Sequence, residues 1–161
     1  MKKMWSFILL ISAAVVMTAC SGSRDMEREP LRGLSFSGEN EVFSVYNGVL
    51  VLGAEEEICY GGYLKAAPGA FEDIRGYTVS IYLGNREERL CLMSNSWEDM
   101  SGACLDVSGE LGKLSGDISG MAEMDMDKGL WIELETSSQK GEKNCYELEL
   151  DVKELTEGSR G

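Results

Sequence analysis

The sequence predicts an all-β domain, an antiparallel β-sandwich of immunoglobulin-like type or a small barrel, standing behind a signal peptide and a flexible tether. Three observations predict it. Apolar residues recur with a period of two through most of the chain, glycine-containing turn dipeptides separate the alternating runs, and helical periodicity is confined to one short segment. The chain has 161 residues, a size that suits a single domain with a single core.

The first element is "MKKMWSFILLISAAVVMTAC". Lys2 and Lys3 precede an apolar run from Met4 to Met17, and the run closes on Thr18, Ala19 and Cys20. This is the three-part layout of a secretory signal, and it is short for a spanning helix. Met17-Thr18-Ala19-Cys20 resembles the lipobox of bacterial lipoproteins, with Met17 where that family prefers leucine. The resemblance implies cleavage before Cys20 and a diacylglyceryl, palmitate-type anchor on its thiol. Each buried methylene contributes ~0.8 kcal/mol, so two or three chains hold a protein on a membrane that one chain holds only transiently. The expected location is the cell membrane or outer membrane, on the extracytoplasmic side. No other run reaches the ~18 consecutive apolar residues of a spanning helix.

The expected organisation is a signal peptide over 1–19, a lipidated N-terminus and tether over 20–38, a β-sandwich domain over 39–155, and a disordered tail over 156–161. The tether segment "SGSRDMEREPLRGLSFSG" is polar, contains Pro30 and shows no sustained apolar period. After it, "EVFSVYNGVLVLG" gives two apolar runs around Asn47-Gly48, a dipeptide that favours a tight hairpin. Pro68 to Gly76, "PGAFEDIRG", is the one segment that offers a helical turn.

Tyr77, Val79, Ile81 and Leu83 then alternate with Thr78, Ser80 and Tyr82, and Gly84-Asn85 supplies a turn before Leu90 and Leu92. Leu130, Ile132 and Leu134 share one face of the next strand, and Tyr146, Leu148, Leu150 and Val152 share one face of the last. Ser-Gly pairs at Ser108, Ser115 and Ser119 read as turns around short strands. The segments Gly38 to Glu41 ("GENE"), Gly61-Gly62 and Leu130 to Leu134 ("LWIEL") are similar to small lipoprotein domains of Gram-positive bacteria. That resemblance implies a β-sandwich and carries over no catalytic residue.

Charge and composition narrow the function. With 15 basic and 28 acidic residues the net charge is −13, and loss of Lys2 and Lys3 would take it to about −15. Such a surface disfavours nucleic acid and favours a basic protein or an envelope component as partner. The chain has no histidine, which excludes Ser-His and Cys-His nucleophile systems and removes the commonest transition-metal ligand. No catalytic residue, cofactor or metal site is therefore expected, and the protein reads as a non-enzymatic binding or accessory module. The alternative is an inhibitor that caps a cationic enzyme such as a lysozyme or a protease.

Cys59, Cys91, Cys104 and Cys145 form an even set in an exported chain, which predicts two disulfides. If their segments are strands, parity puts all four thiols on the face away from the main apolar residues. A hairpin turning at Trp97-Glu98 would set Cys91 opposite Cys104 and leave Cys59 with Cys145. Glu123, Asp125 and Asp127 resemble a calcium loop, but Lys128 and Leu134 stand where its glycine and final glutamate belong. "GELGKL" lacks the phosphate-loop spacing. Tyr60, Tyr63, Trp97 and Trp131 are the aromatic candidates for a binding surface.

Overall fold

The structure, a computed structural model, describes residues 31–53, 57–84, 89–116 and 128–155. Among the described residues ten strands follow in order: β1 Arg32–Glu39, β2 Phe43–Leu52, β3 Glu57–Tyr60, β4 Tyr63–Ala66, β5 Ile74–Leu83, β6 Leu90–Glu98, β7 Gly109–Glu110, β8 Lys113–Gly116, β9 Leu130–Ser138 and β10 Lys143–Glu154. All pairings are antiparallel, and the sheet runs β6-β5-β9-β10-β1-β2-β3-β8, with β4 joined to β2 and to β7. The result is an all-β, nearly closed barrel-like sheet, the barrel form of the two architectures the sequence predicts.

Alternation places the core. Val79, Ile81 and Leu83 of β5, Leu130, Ile132 and Leu134 of β9, and Leu50 of β2 have no exposed surface, and Leu34, Phe36 and Leu150 join them. The phase read from the sequence for β5, β9 and β10 is the phase in the barrel. Each fully buried aliphatic side chain stabilises the fold by roughly 1.5–3 kcal/mol through removal of apolar surface from water.

The barrel turns a corner along one line. β2 is a single strand that gives its first half, Phe43 to Tyr46, to β4 and its second, Val49 to Val51, to β3. Asn47 at the junction has a φ of 59°, and the β1–β2 register slips between Phe36 and Gly38. Asn47-Gly48 therefore makes a bulge rather than the expected hairpin. A two-residue primed turn of type I′ needs positive φ at both residues, and only Asn47 supplies it here; Gly48 instead leaves room for the Phe36 ring. The neighbouring strands bend at the same level. Gly61 donates to the Gly112 carbonyl and Leu111 to the Gly62 carbonyl, so β3-β4 and β7-β8 run as two bent, paired strands. On the far side no strand pairing among the described residues joins β6 to β7 or β8, and the Asn95 side chain of β6 bridges the gap by donating to the Leu111 carbonyl.

Other expectations are corrected. β1 takes Arg32 to Gly38 from the segment assigned to the tether; only Leu34 and Phe36 carry its apolar signal, and its pairing with β2 and β10 on either side holds it in place. Pro68-Gly69 lies in a turn closed by Ala70 donating to the Ala67 carbonyl, and the chain is already strand at Ile74, so no helix forms. Trp97-Glu98 is no turn, because β6 continues through both residues while pairing with β5.

The cysteine pairings fail on geometry, and all four thiols are free. Cys91 sits opposite Tyr82, whereas Cys104 lies beside Asp73, just before the other end of β5. Nine residues of strand separate those ends, on the order of 25–30 Å at ~3.3 Å per residue, against a Cα separation near 5.5–6 Å in a disulfide. Cys59 and Cys145 lie on opposite sides of the wall. Cys59 is fully buried in the core, contrary to the parity expected for it, while Cys91, Cys104 and Cys145 are exposed. Cys20 and the acidic stretch Glu123 to Asp127 lie outside the described residues.

Candidate functional site

Inward positions are filled mainly by apolar side chains, with Glu57 and Thr136 buried among them, and both hollows lie on the outside of the wall. The outer phase of β6-β5-β9-β10 presents the residues that alternate with the core. β5 contributes Gly76, Thr78, Ser80 and Tyr82; β9 contributes Trp131, Glu133, Glu135 and Ser137; β10 contributes Lys143, Cys145, Glu147 and Glu149. Hydroxyls pair across β5 and β6, Thr78 with Ser96 at 2.8 Å and Ser80 with Ser94 at 2.8 Å. Cross-strand hydroxyl pairs of this kind fix a polar face without burying an unpaired group.

Two hollows lie along this face. One, of about 470 Å³, is bordered by Thr78, Ser96, Glu98, Glu135, Ser137 and Lys143, with Gly76 in its floor. A side chain at Gly76 would press on Ser137 and on the Trp97 carbonyl, so the glycine keeps that floor open. The second, of about 240 Å³, is bordered by Tyr82, Trp131, Arg89, Glu133 and Glu147 and is mainly apolar.

Arg89 is the centre of the smaller hollow. Its guanidinium lies 4.9 Å from the centre of the Tyr82 ring. One nitrogen is 2.9 Å from Glu133 and another 3.6 Å from Glu147. The hydrogen bond that Arg89 donates to the Glu133 carboxylate holds the Arg89 proton more firmly than usual. Cation, ring and two carboxylates thus come from the β5–β6 connection, β5, β9 and β10, brought together only by the pairing of those strands.

The thiols on this face are not activated toward nucleophilic attack. Burial raises the Cys145 pKa, and the charges of Glu133 and Glu135 raise it further. Burial likewise raises that of Cys91, more than a backbone hydrogen bond at Met93 lowers it, and the Glu133 charge adds to the rise. A thiol kept protonated by neighbouring carboxylates attacks poorly. Glu133, Glu135 and Cys145 each present a donor atom within 4.8 Å of one another, the arrangement among the described residues that could hold a metal ion. A metal there would have to displace Arg89 from Glu133 and the proton from Cys145.

The four aromatic candidates do not converge. Trp131 stands on the outer face in the smaller hollow. Trp97, half-buried, stacks on Tyr77 with ring centres 4.7 Å apart and packs against the core. Tyr60 and Tyr63 flank the Gly61-Gly62 corner on β3 and β4, and Tyr63 contacts Tyr46 at 5.3 Å. Tyr82, Arg89, Glu133 and Glu147 were not singled out from the sequence. The signal for three of them was present in the outer phase of β5, β9 and β10, where aromatic and acidic residues replace the simple polar residues of a solvated face. Comparison of the chain with protein-family models, with curated proteins and with solved structures finds no match.

Proposed function

We propose that this protein is a lipid-anchored component of the cell envelope that acts by binding, with the outer face of β6-β5-β9-β10 as its contact surface and a basic protein as its partner. The observation that carries this reading is the alignment of two hollows along one face whose border is rich in glutamate, with the half-buried Tyr82 and Trp131 lining the smaller of them. Aromatic anchors with an acidic rim suit a cationic partner, since the ring supplies contact area and the rim steers approach. The lipobox-like segment ending at Cys20 and the net charge of −13 agree with this reading. The absence of histidine and the protonated thiols favour binding over catalysis.

Capping of a cationic enzyme is the second reading, favoured by the same acidic face. Both are tested by titrating the full chain with basic proteins, lysozyme among them, at rising salt. Binding should weaken steeply with ionic strength and fall in Trp131→Ala. An inhibitor would also reduce the enzyme's turnover, whereas a plain binding module would leave it unchanged. Binding that ignores both salt and Trp131 would overturn the assignment of this face. Fractionation tests the anchor: Cys20→Ser should move the protein from the membrane to the soluble fraction, and continued membrane association would refute lipidation at Cys20.

A further inference from the structure

We propose that the slot formed by Tyr82, Glu133 and Glu147 is a guanidinium receptor, that Arg89 fills it in the unbound protein, and that an arginine side chain of a basic partner replaces Arg89 on docking. The inference rests on the reading of this face as the contact surface and names what that surface recognises.

A guanidinium is planar, always charged, and recognised best by an aromatic face within about 6 Å together with carboxylates in the plane of its fork. The slot supplies both groups. The Tyr82 ring centre is 4.9 Å from the Arg89 carbon, and Glu133 and Glu147 take separate nitrogens at 2.9 and 3.6 Å. The chain's own arginine thus demonstrates the fit.

Three features make Arg89 a replaceable occupant. It precedes β6 and lies outside the strand ladder, so its contacts to Tyr82, Glu133 and Glu147, and no strand pairing, hold it in the slot. That side chain keeps 27% of its surface exposed, so it leaves the slot toward solvent without opening the core. Beside it the apolar hollow under Trp131, about 240 Å³, is open and offers a path for the aliphatic stem of an incoming arginine. Exchange of one guanidinium for another leaves Glu133 and Glu147 paired throughout, so no carboxylate is stranded during docking. Lysine would satisfy the charge but not the fork, which makes the slot selective for arginine.

The test uses the full chain in detergent and a short blocked peptide with one central arginine, beside lysine and citrulline versions, with binding followed through the Trp131 indole signal. Arg89→Ala should bind the arginine peptide at least about tenfold more tightly than the parent protein, because the tethered competitor is gone. The lysine peptide should gain less and the citrulline peptide nothing. Adding Glu133→Gln to Arg89→Ala should remove the gain. Arg89→Lys, which keeps a cation, should fall between the parent and Arg89→Ala, and serves if the alanine variant does not fold. Equal or weaker binding by Arg89→Ala, or equal gain for citrulline, overturns the proposal. If Arg89→Ala takes the arginine peptide while basic proteins are ignored by every form, the receptor stands and the broader functional reading falls. If basic proteins bind with strong salt dependence but neither Arg89→Ala nor Glu133→Gln alters that binding, the reverse holds.

Discussion

Replacing Gly48 by alanine tests the corner that converts a curved sheet into this barrel. Gly48 does not adopt a positive φ, so alanine meets no backbone strain. Its added methyl would instead overlap the Phe36 ring, whose Cε2, Cδ2 and Cζ atoms lie over the glycine. Phe36 is only 2% exposed, so the ring has no solvent to move into and must displace core neighbours. Overpacking of this kind costs about 1–3 kcal/mol, and we expect the upper half of that range because three ring atoms clash at once. Phe36→Leu alone should cost about 1–2 kcal/mol through lost contacts. In the double variant the alanine methyl occupies part of the space the ring vacates, so the loss should be at least about 1 kcal/mol smaller than the sum. Gly109, which has open space around it, provides the control: Gly109→Ala should stay within about 0.5 kcal/mol of the parent. Urea unfolding followed by circular dichroism measures all four variants, with the m-value showing whether the folded state keeps its compactness. A Gly48→Ala variant as stable as the Gly109→Ala control, or additive behaviour with Phe36→Leu, would refute the close packing at the corner.

Burial pushes the Cys59 thiol up to about 12 from an ordinary 9.0, with the Cys91 charge adding to the effect. The unfolded chain therefore releases this proton first as pH rises, and stability present below pH 9 should decline between about pH 9 and 12, by at most about 4 kcal/mol; Cys59→Ala should flatten that part of the profile, and parallel curves for the two proteins would refute the buried thiol. In the reduced folded protein, iodoacetamide should label Cys91, Cys104 and Cys145 while sparing Cys59 until denaturant is added; early labelling of Cys59, or a peptide linking Cys91 to Cys104 in unreduced material, would contradict the described geometry. Asn95→Ala removes the side-chain donor that ties β6 to the Leu111 carbonyl, which should cost about 1–2 kcal/mol and speed amide exchange in β7 and β8 more than in β9; uniform exchange across both groups would show that the seam does not depend on Asn95.

The phase of each long strand is written locally. Tyr77, Val79, Ile81 and Leu83, then Leu130, Ile132 and Leu134, then Tyr146, Leu148, Leu150 and Val152 face the core as their alternation requires, because successive side chains in a strand point to opposite sides. The same phase put Trp131 outside. Charge, the missing histidine and the segment ending at Cys20 are equally local and are read directly from the chain. Where alternation is short or interrupted, local reading fails. β1 has two inward apolar residues and owes its place to partners on both sides. Asn47-Gly48 carries a hairpin signature, yet it lies within one strand because β3 and β4 both pair with β2. Cys59 is flanked by Ile58 and Tyr60, but it is Cys59 that the barrel buries, since β3 meets the core in the phase set by Leu50. The meeting of Tyr82, Arg89, Glu133 and Glu147 is further still from local rules. Each belongs to a different segment, and only the strand order β5-β9-β10 brings them together. Strand order is chosen by the total apolar surface that closing the barrel removes from water, a quantity that no single segment contains.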